Sequence, residues 1–466
     1  MSASRATASF TSLSAELRVR AVSPVDLVED MLSRIDVHDS RLNSYAHVAG
    51  EIARAEARRA ETEIAQGRRL GPLHGIPIAV KDVFYTTDMP TRFGSPVHDG
   101  FDVQFESTAT ARLRAAGAIL LGKLTLTEGV YADHHPSTVP PVNPFGAAHW
   151  TGTSSSGSGV AVTAGLAYGA LGTDTGGSIR LPSACCGIVG IKPTWGRVSR
   201  HGVFELAGSL DHVGPMTRSV ADAAAMLAAI AGPDPADPTA SPVPVPDYVE
   251  AAAEGSVEGL VVGIDWGFLR SRADDTVLAS IAEVVEVLAR LEARIVEVSF
   301  PDPDAVLEGW AVQCAVEAAL AHRATFPARR DEYGPRMAGL LDRGAGHSAA
   351  DLAIAYQDRR AFNGRMATLF DGIDLLLMPG LPVAGPSLDY MASLGEDPAG
   401  ILAIGPFTAP FDVCGYPAIS LPCGMSRQGI PIGCQLVARP FAEDRLCRAG
   451  AAFQRATDWH ERRPKL

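Results

Sequence analysis

The chain has 466 residues, of which 47% are hydrophobic and 20% are charged, and its formal net charge is −13 at pH 7. This length allows a large core, and the acidic balance argues against a surface that binds nucleic acid or an anionic membrane. No apolar run approaches the ~20 residues of a membrane span, and residues 1–17 lack the basic and apolar segments of a signal peptide. We therefore expect a cytoplasmic protein without a membrane or nucleic-acid partner.

The seven cysteines are scattered and several lie in apolar surroundings, which is typical of reduced thiols in a cytoplasmic protein. Cys185 and Cys186 are adjacent and cannot form a CxxC metal clip. The sequence contains no zinc-ligand spacing and no HExxH motif. We predict that the protein uses no metal and no other cofactor.

Residues 1–70 are predicted to form a helical segment that precedes the main domain at 71–466. A capping serine, a proline in the first turn and an acidic residue mark a helix start at Ser23-Pro-Val-Asp26. A second helix is expected at about 43–66, which is rich in Ala, Glu and Arg.

A short buried strand is predicted at Ile76–Val80, with Lys81 and Asp82 at its carboxyl end. Ligands gather at the carboxyl ends of strands in open α/β sheets. A lysine after an apolar run is more often a solvated surface group. A desolvated lysine, however, can be neutral near physiological pH and act as a base.

An αβ unit is predicted at 108–126, and the polar and aromatic segment 131–135 follows it. This segment and one later tryptophan are expected to line a pocket. The candidate pocket residues are Tyr131, Asp133, His134, His135 and Trp150. The two histidines are interpreted as pocket or loop residues rather than metal ligands, because no third ligand is suitably spaced.

The stretch 151–194 holds two clusters rich in glycine and serine, Gly152–Gly159 and Gly172–Ser178. Glycine costs entropy to order, so two such clusters suggest backbone amides placed close to a ligand. Ser154 and Ser178 occupy corresponding ends of the clusters, 178 − 154 = 24 positions apart. A helix between them could bring both hydroxyls to one place.

Three interpretations of this stretch compete. It can be a pair of loops around a buried helix, or a phosphate cradle, although Ser158 stands where a P-loop has its lysine. It can also be a hydrolase site with a serine nucleophile and oxyanion-binding amides. The stretch contains no GxSxG elbow and no histidine. A base must then come from elsewhere, and Lys81 is the candidate.

The rest of the chain continues the alternation of helices and strands. Predicted in order are a loop and edge strand at 190–200, a helix from Ser219 to about 231, a proline-rich linker or surface loop at 232–247, a strand–helix–strand unit at 258–300, long helices at about 304–322 and 349–370, and a strand at 374–378. The helix at 349–370 is expected to be capped by Ser348 and Asp351. This pattern indicates an α/β fold with a mixed sheet covered by helices.

Several motifs together carry a family resemblance. They are GPLHGIPIAVKD (71–82), AGAILLGKLTLTE (116–128), GTDTGGSIRLPSACCGIVGIKPTWGRVS (172–199), LDHVGPMTRSVADAA (210–224) and the tail 407–437. The chain resembles the amidase signature family over most of its length. The resemblance implies a mixed, twisted β-sheet with helices on both faces at 71–466. It also implies a variable helical pocket region at about 304–370.

The resemblance assigns roles by position. It implies Ser178 as nucleophile, Ser154 as a bridging serine and Lys81 as base, with a cis peptide bond between Thr153 and Ser154. It also implies an oxyanion hole formed by the backbone amides of Thr175, Gly176, Gly177 and Ser178. Side chains at 176 and 177 are then expected to obstruct the substrate oxygen.

The serine run departs from the commonest family pattern, GGSSGG, at two positions. Thr153 and Ser156 each replace a glycine, and neither change removes a catalytic group. The 24-residue spacing to Ser178 favours Ser154 over Ser155 as the bridge.

The resemblance implies an amidase that hydrolyses linear carboxamides of small molecules through an acyl-enzyme, and family members are often homodimers. The alternative is the amidase-like subunit of a glutamine-dependent tRNA amidotransferase. Such subunits usually continue after the position of Glu128 with a Phe-Ala-Met-Gly-type sequence, whereas this chain reads Gly-Val-Tyr-Ala-Asp-His-His. A binding protein on an inactive fold is disfavoured, because all three triad positions hold competent residues. The sequence does not separate aliphatic, aryl, amino-acid and urea-type substrates, and it leaves an esterase side activity open.

Overall fold

A computed structural model of the protein describes residues 3–395 and 398–466. Eleven strands form a mixed sheet in the order β1-β3-β2-β4-β6-β5-β10-β11-β9-β7-β8. The strands are β1 (Tyr45–Val48), β2 (Pro77–Lys81), β3 (Ile119–Leu124), β4 (Gly169–Asp174), β5 (Val189–Lys192), β6 (His212–Thr217), β7 (Val261–Ile264), β8 (Arg294–Glu297), β9 (Leu375–Pro379), β10 (Ala418–Met425) and β11 (Pro431–Ala438).

Helices flank this sheet. They are α1 (Ala3–Ala6), α2 (Phe10–Arg18), α3 (Pro24–Leu42), α4 (Gly50–Ala65), α5 (Thr108–Ala115), α6 (Ser156–Thr163), α7 (Arg180–Cys186), α8 (Val220–Ile230), α9 (Tyr248–Glu254), α10 (Trp266–Arg270), α11 (Asp275–Arg290), α12 (Asp304–Ala321), α13 (Pro335–Gly346), α14 (Ala349–Leu369), α15 (Leu388–Ser393), α16 (Pro398–Ile404), α17 (Ala409–Val413) and α18 (Glu443–Ala456). The inner strands β2 to β6 are buried along their whole length, as expected for strands covered on both faces. The predicted α/β class with a mixed sheet is confirmed.

Local signals placed several elements correctly. Ser23 and Asp26 form a capping box at the start of α3, and Ser348 with Asp351 does the same for α14. The αβ unit at 108–126 is present as α5 and β3. The proline-rich segment 232–247 lies between α8 and α9 without a helix or strand of its own, as predicted.

Two predictions of local structure are wrong. The helix expected at 43–66 begins at Gly50, because Tyr45–Val48 forms β1 and pairs antiparallel with β3. The helix-favouring composition of α4 hid this four-residue strand. The expected edge strand within 190–200 is β5, which lies inside the sheet between β6 and β10. The division of the chain at residue 70 stays a prediction.

The sheet places the carboxyl ends of two parallel neighbours side by side. Strand β2 pairs in parallel with both β3 and β4. Lys81 therefore ends β2 at the same edge of the sheet at which Asp174 ends β4. No helix in residues 3–395 and 398–466 is long and apolar enough to cross a bilayer.

Candidate active site

Helix α6 and strand β4 connect the two serine-rich clusters and run in opposite directions. The two clusters therefore lie side by side. Ser155 donates its backbone N–H to the carbonyl oxygen of Ser178 at 3.3 Å. Its hydroxyl donates to the carbonyl oxygen of Thr173 at 3.2 Å. Ser154 thus lies just before α6, and Ser178 lies just before α7.

Lys81 is fully buried against the first cluster. Its Nζ lies 2.6 Å from Oγ of Ser154 and 2.8 Å from Oγ1 of Thr173. Burial lowers the pKa of the Lys81 ammonium to about 7, so a large fraction of Lys81 is neutral near neutral pH. The peptide bond between Thr153 and Ser154 is cis. The 2.6 Å contact places Lys81 on Ser154, whereas the hydroxyl of Ser155 bonds the carbonyl oxygen of Thr173.

Two buried carboxyl groups act on Lys81 from a distance. The charges of Asp211 and Asp174 raise the pKa of Lys81 and partly offset its burial. Asp211 accepts hydrogen bonds from Oγ1 of Thr175 at 2.5 Å and from the backbone N–H of Ala207. Burial raises the pKa of Asp211 to about 7. Two ionisable groups of similar pKa thus lie in one buried region.

Asp174 holds the loop that carries Ser178. Its carboxylate accepts the backbone N–H groups of Gly177 at 2.5 Å and of Ile179 at 3.0 Å, and it pairs with Arg180 at 3.0 Å. Burial opposes ionisation of Asp174, but the charge and hydrogen bonds of Arg180 outweigh it and hold the pKa of Asp174 well below its usual range. Arg180 also pairs with the buried Asp412 at 2.6 Å.

One part of the expected oxyanion hole needs correction. The N–H of Gly177 is already donated to Asp174, so this amide is not available to a substrate oxygen. The backbone amides of Thr175, Gly176 and Ser178 have no protein acceptor within the described part of the chain. These three amides are the remaining candidates.

Close packing explains the two glycines in this loop. A Cβ at Gly176 would lie 2.6 Å from Cζ2 of Trp310, and one at Gly177 would lie 2.6 Å from Oγ1 of Thr408. Gly177 also has a φ of +136°, which side chains disfavour. Side chains at these two positions would therefore collide with protein atoms before they could obstruct a substrate oxygen.

Ser178 opens into a cavity of about 660 Å³, which Thr175 and Gly176 also line. Much of its wall is apolar, and this wall includes Val130, Leu181, Leu206, Trp310, Met391 and Leu402. These side chains come from several elements, among them the helices α7, α12, α15 and α16. Such a cavity can hold an apolar group next to Ser178.

All five candidate pocket residues line this cavity: Tyr131, Asp133, His134, His135 and Trp150. His134 Nε2 lies 3.0 Å from Oγ of Ser156, and burial lowers the pKa of His134 to about 4. Asp133 pairs with Arg336 at 2.9 Å.

The two departures in the serine run contact this same segment. Ser156 contacts His134 as just described, and Thr153 donates its hydroxyl to the carbonyl oxygens of Ala132 at 3.0 Å and Tyr131 at 3.2 Å. Thr153 and Ser156 therefore connect one wall of the cavity to the loop that carries Ser154.

Sequence reasoning missed several residues around this site: Thr173, Asp174, Arg180, Asp211, Trp310, Arg336 and Thr408. Asp174 and Arg180 lie inside the GTDTGGSIR motif, so the motif itself was a signal for them. Thr408 lies in the tail 407–437 and Trp310 in the predicted pocket region at about 304–370, but neither segment indicates a contact with this loop.

No group of three or more His, Cys, Asp or Glu side chains in residues 3–395 and 398–466 is arranged to hold a metal ion. The seven cysteines are buried and not disulfide-bonded.

The chain matches the family model described as Amidase over residues 26–447. It is 46% identical over 450 residues to a Mycobacterium tuberculosis protein named "Putative amidase AmiD", with 97% of this chain and 94% of that protein covered. It is 37% identical over 482 residues to a Glutamyl-tRNA(Gln) amidotransferase subunit of Chloroflexus aurantiacus, with 98% of each chain covered. The crystal structure of native peptide amidase from Stenotrophomonas maltophilia superposes with a TM-score of 0.83 at 29% identity, covering 98% of this chain and 97% of that one. Both the family model and the fold thus extend over nearly the whole chain, which belongs to the amidase signature family of hydrolases that act on amide C–N bonds.

Proposed function

We propose that this chain is a stand-alone amidase that uses Lys81, Ser154 and Ser178 to hydrolyse a carboxamide through an acyl-enzyme. The observation that carries the proposal is the buried contact of 2.6 Å between Lys81 Nζ and Ser154 Oγ, next to a cavity that Ser178 lines. A lysine with a lowered pKa is suited to accept a proton from a serine hydroxyl.

Acylation follows from this arrangement. Neutral Lys81 accepts the hydroxyl proton of Ser154 while Ser154 accepts that of Ser178, and Oγ of Ser178 attacks the amide carbon. The carbonyl oxygen becomes an oxyanion that the free amides of the 175–178 loop stabilise. The relay then returns a proton to the amide nitrogen, the C–N bond breaks, and ammonia or an amine leaves.

Deacylation uses the same groups, with water in place of Ser178 as the nucleophile and Ser178 as the leaving group. A water molecule attacks the carbon of the Ser178 ester, and its proton passes to the relay. The C–O bond to Ser178 breaks, Oγ recovers a proton from the relay, and the carboxylic acid leaves and gives its remaining proton to solvent to become the carboxylate.

The composition of the cavity wall indicates which kind of acyl group the substrate carries. The apolar area of this wall next to Ser178 favours an amide with a sizeable apolar acyl part.

One feature supports the alternative, a glutaminase subunit of a tRNA amidotransferase. Arg336 and Asp133 line the cavity as a pair of opposite charges, and Nη1 of Arg336 is buried with no hydrogen-bond partner among residues 3–395 and 398–466. Such a pair can bind the carboxylate and ammonium groups of glutamine.

Ammonia release by the purified chain tests the proposal. The panel contains aliphatic, aryl and amino-acid amides together with glutamine, and Ser178→Ala is the control. We expect release from amides with apolar acyl groups and none from the variant. Turnover of glutamine alone, and only after a partner extract is added, would favour the amidotransferase reading.

Activity is expected to rise with pH. Because the neutral form of Lys81 is the base and its pKa is about 7, kcat/KM should increase about tenfold per pH unit below that value and level off above it. A flat profile between about pH 5 and 10, with chemistry shown to be rate-limiting, contradicts the role of Lys81.

The Asp211→Asn variant tests whether the charge of Asp211 influences the titration of Lys81. The charge of Asp211 raises the pKa of Lys81, so its removal is expected to shift the midpoint of the pH profile to lower pH. Asparagine can still accept the hydrogen bonds of Thr175 and Ala207 through its amide oxygen, but it loses the bond from the Leu206 N–H, which Oδ2 of Asp211 accepts at 3.0 Å. An unchanged midpoint would mean that Lys81 is not the group that titrates.

A further inference from the structure

Trp310 connects the helix α12 to the loop before Ser178. Its indole N–H donates to the carbonyl oxygen of Thr175 at 2.8 Å. The ring fills the space in which a Cβ of residue 176 would lie. Trp310 is only 7% exposed, so this hydrogen bond forms in a largely dry environment.

The hydrogen bond acts on a single peptide unit. The carbonyl of Thr175 and the N–H of Gly176 belong to the same planar, trans peptide group, in which the two bonds point in opposite directions. An indole that fixes the carbonyl therefore also fixes the N–H, which points away from the indole. This N–H is one of the three loop amides without a protein acceptor in the described residues.

We propose that Trp310 is a positioning residue of the oxyanion hole, because its indole N–H sets the direction of the Gly176 amide. The proposal rests on the proposed amidase function. Trp310 does not touch the reacting atoms in this role, and it acts through the peptide between Thr175 and Gly176. A preorganised donor needs no reorientation when charge develops on the substrate oxygen, and that is the source of its catalytic effect.

The next peptide of the loop provides a contrast. Oγ1 of Thr408 donates to the carbonyl oxygen of Gly176 at 2.7 Å, which fixes the N–H of Gly177 in the same way. That N–H, however, is donated to Asp174 and not to the cavity. The two bonds look alike, but only the bond from Trp310 orients an amide that is available to substrate.

The test compares Trp310→Phe with the wild-type protein on the best amide of the panel. Loss of a whole oxyanion donor lowers kcat by about 10²–10³-fold, and a misdirected donor should cost roughly 10–100-fold. We expect this loss in kcat, with KM changed by less than about threefold. We also expect weaker binding of the matching aldehyde, which forms a tetrahedral adduct with Ser178, and unchanged binding of the matching primary alcohol.

Two further variants keep the test decisive. Replacement of Trp310 by benzothienylalanine keeps the ring size and removes only the N–H, so it serves if Trp310→Phe does not fold. Trp150→Phe changes a second tryptophan of the same cavity, and its effect is expected on KM. A normal kcat and normal aldehyde binding in both Trp310 variants would overturn the proposal, as would a change in KM alone.

These outcomes are distinct from a failure of the proposed function. If the wild-type chain releases no ammonia, or if Ser178→Ala remains active, the amidase proposal itself falls. If the wild type is active, Ser178→Ala is inactive and Trp310→Phe is normal, only the role of Trp310 falls.

Discussion

The Ser178→Ala variant is expected to lose about 10⁴–10⁶-fold in kcat, which corresponds to roughly 5–8 kcal/mol of transition-state free energy. Without Oγ no acyl-enzyme can form, and the remaining loop amides can only polarise the carbonyl for direct attack by water. The side chain of Ser178 faces the cavity. Loss of its hydroxyl should therefore change the free energy of unfolding by less than about 1 kcal/mol. The measurements are ammonia release under saturating amide and urea unfolding of both proteins.

Ser183→Ala is the matched control for this substitution. Ser183 lies in α7, five positions after Ser178, and its hydroxyl donates to the carbonyl oxygen of Ile179 at 2.7 Å. It has no contact with Lys81 or Ser154 among its hydrogen bonds. We expect activity within a fewfold of wild type. Equal losses in the two variants would show a disturbed loop and not a missing nucleophile.

The Lys81→Met variant is expected to lose activity to a similar extent, because the relay then has no proton acceptor. The free energy of unfolding of this variant should also lack a pH dependence that the wild type shows. The folded pKa of Lys81 is about 7, below the ordinary value of 10.5, so the unfolded chain binds more protons between these values. The free energy of unfolding of the wild type should thus rise with pH in this window, and the methionine variant should lack this rise.

Urea unfolding at about pH 7 and about pH 9.5 measures this effect. The difference in unfolding free energy between wild type and variant should move in favour of the wild type at the higher pH. A constant difference would mean that Lys81 is protonated in the folded protein throughout, which contradicts its role as a base.

Variants of Ser154 and Ser155 test which of these serines works together with Lys81. Ser154→Ala removes the hydroxyl that Lys81 contacts, and groups that act as a unit are strongly non-additive. The Lys81→Met, Ser154→Ala double variant should therefore be no less active than either single variant. Ser155→Ala should retain most activity, since the Ser155 hydroxyl bonds the carbonyl oxygen of Thr173.

Local sequence signals predicted much of the fold because they act over a few residues. Capping boxes marked α3 and α14, and apolar runs marked β2 and β3. The same reasoning missed β1, whose four residues pair with a strand more than seventy positions away. It also placed β5 at an edge of the sheet, because the sequence of a strand does not indicate which strands pair with it.

The sequence by itself determined the family, the α/β class and the three residue types of the proposed relay, because motifs and their spacing are local properties of the chain. The spacing and the resemblance already favoured Ser154 as the partner of Lys81, whereas only the tertiary structure decided which amides of the 175–178 loop remain free and what surrounds them. Asp211, Trp310 and Thr408 contact the 175–178 loop from segments far along the chain from the GTDTGGSIR motif. Their effects depend on distance, burial and direction, which arise only when the sheet and helices pack together.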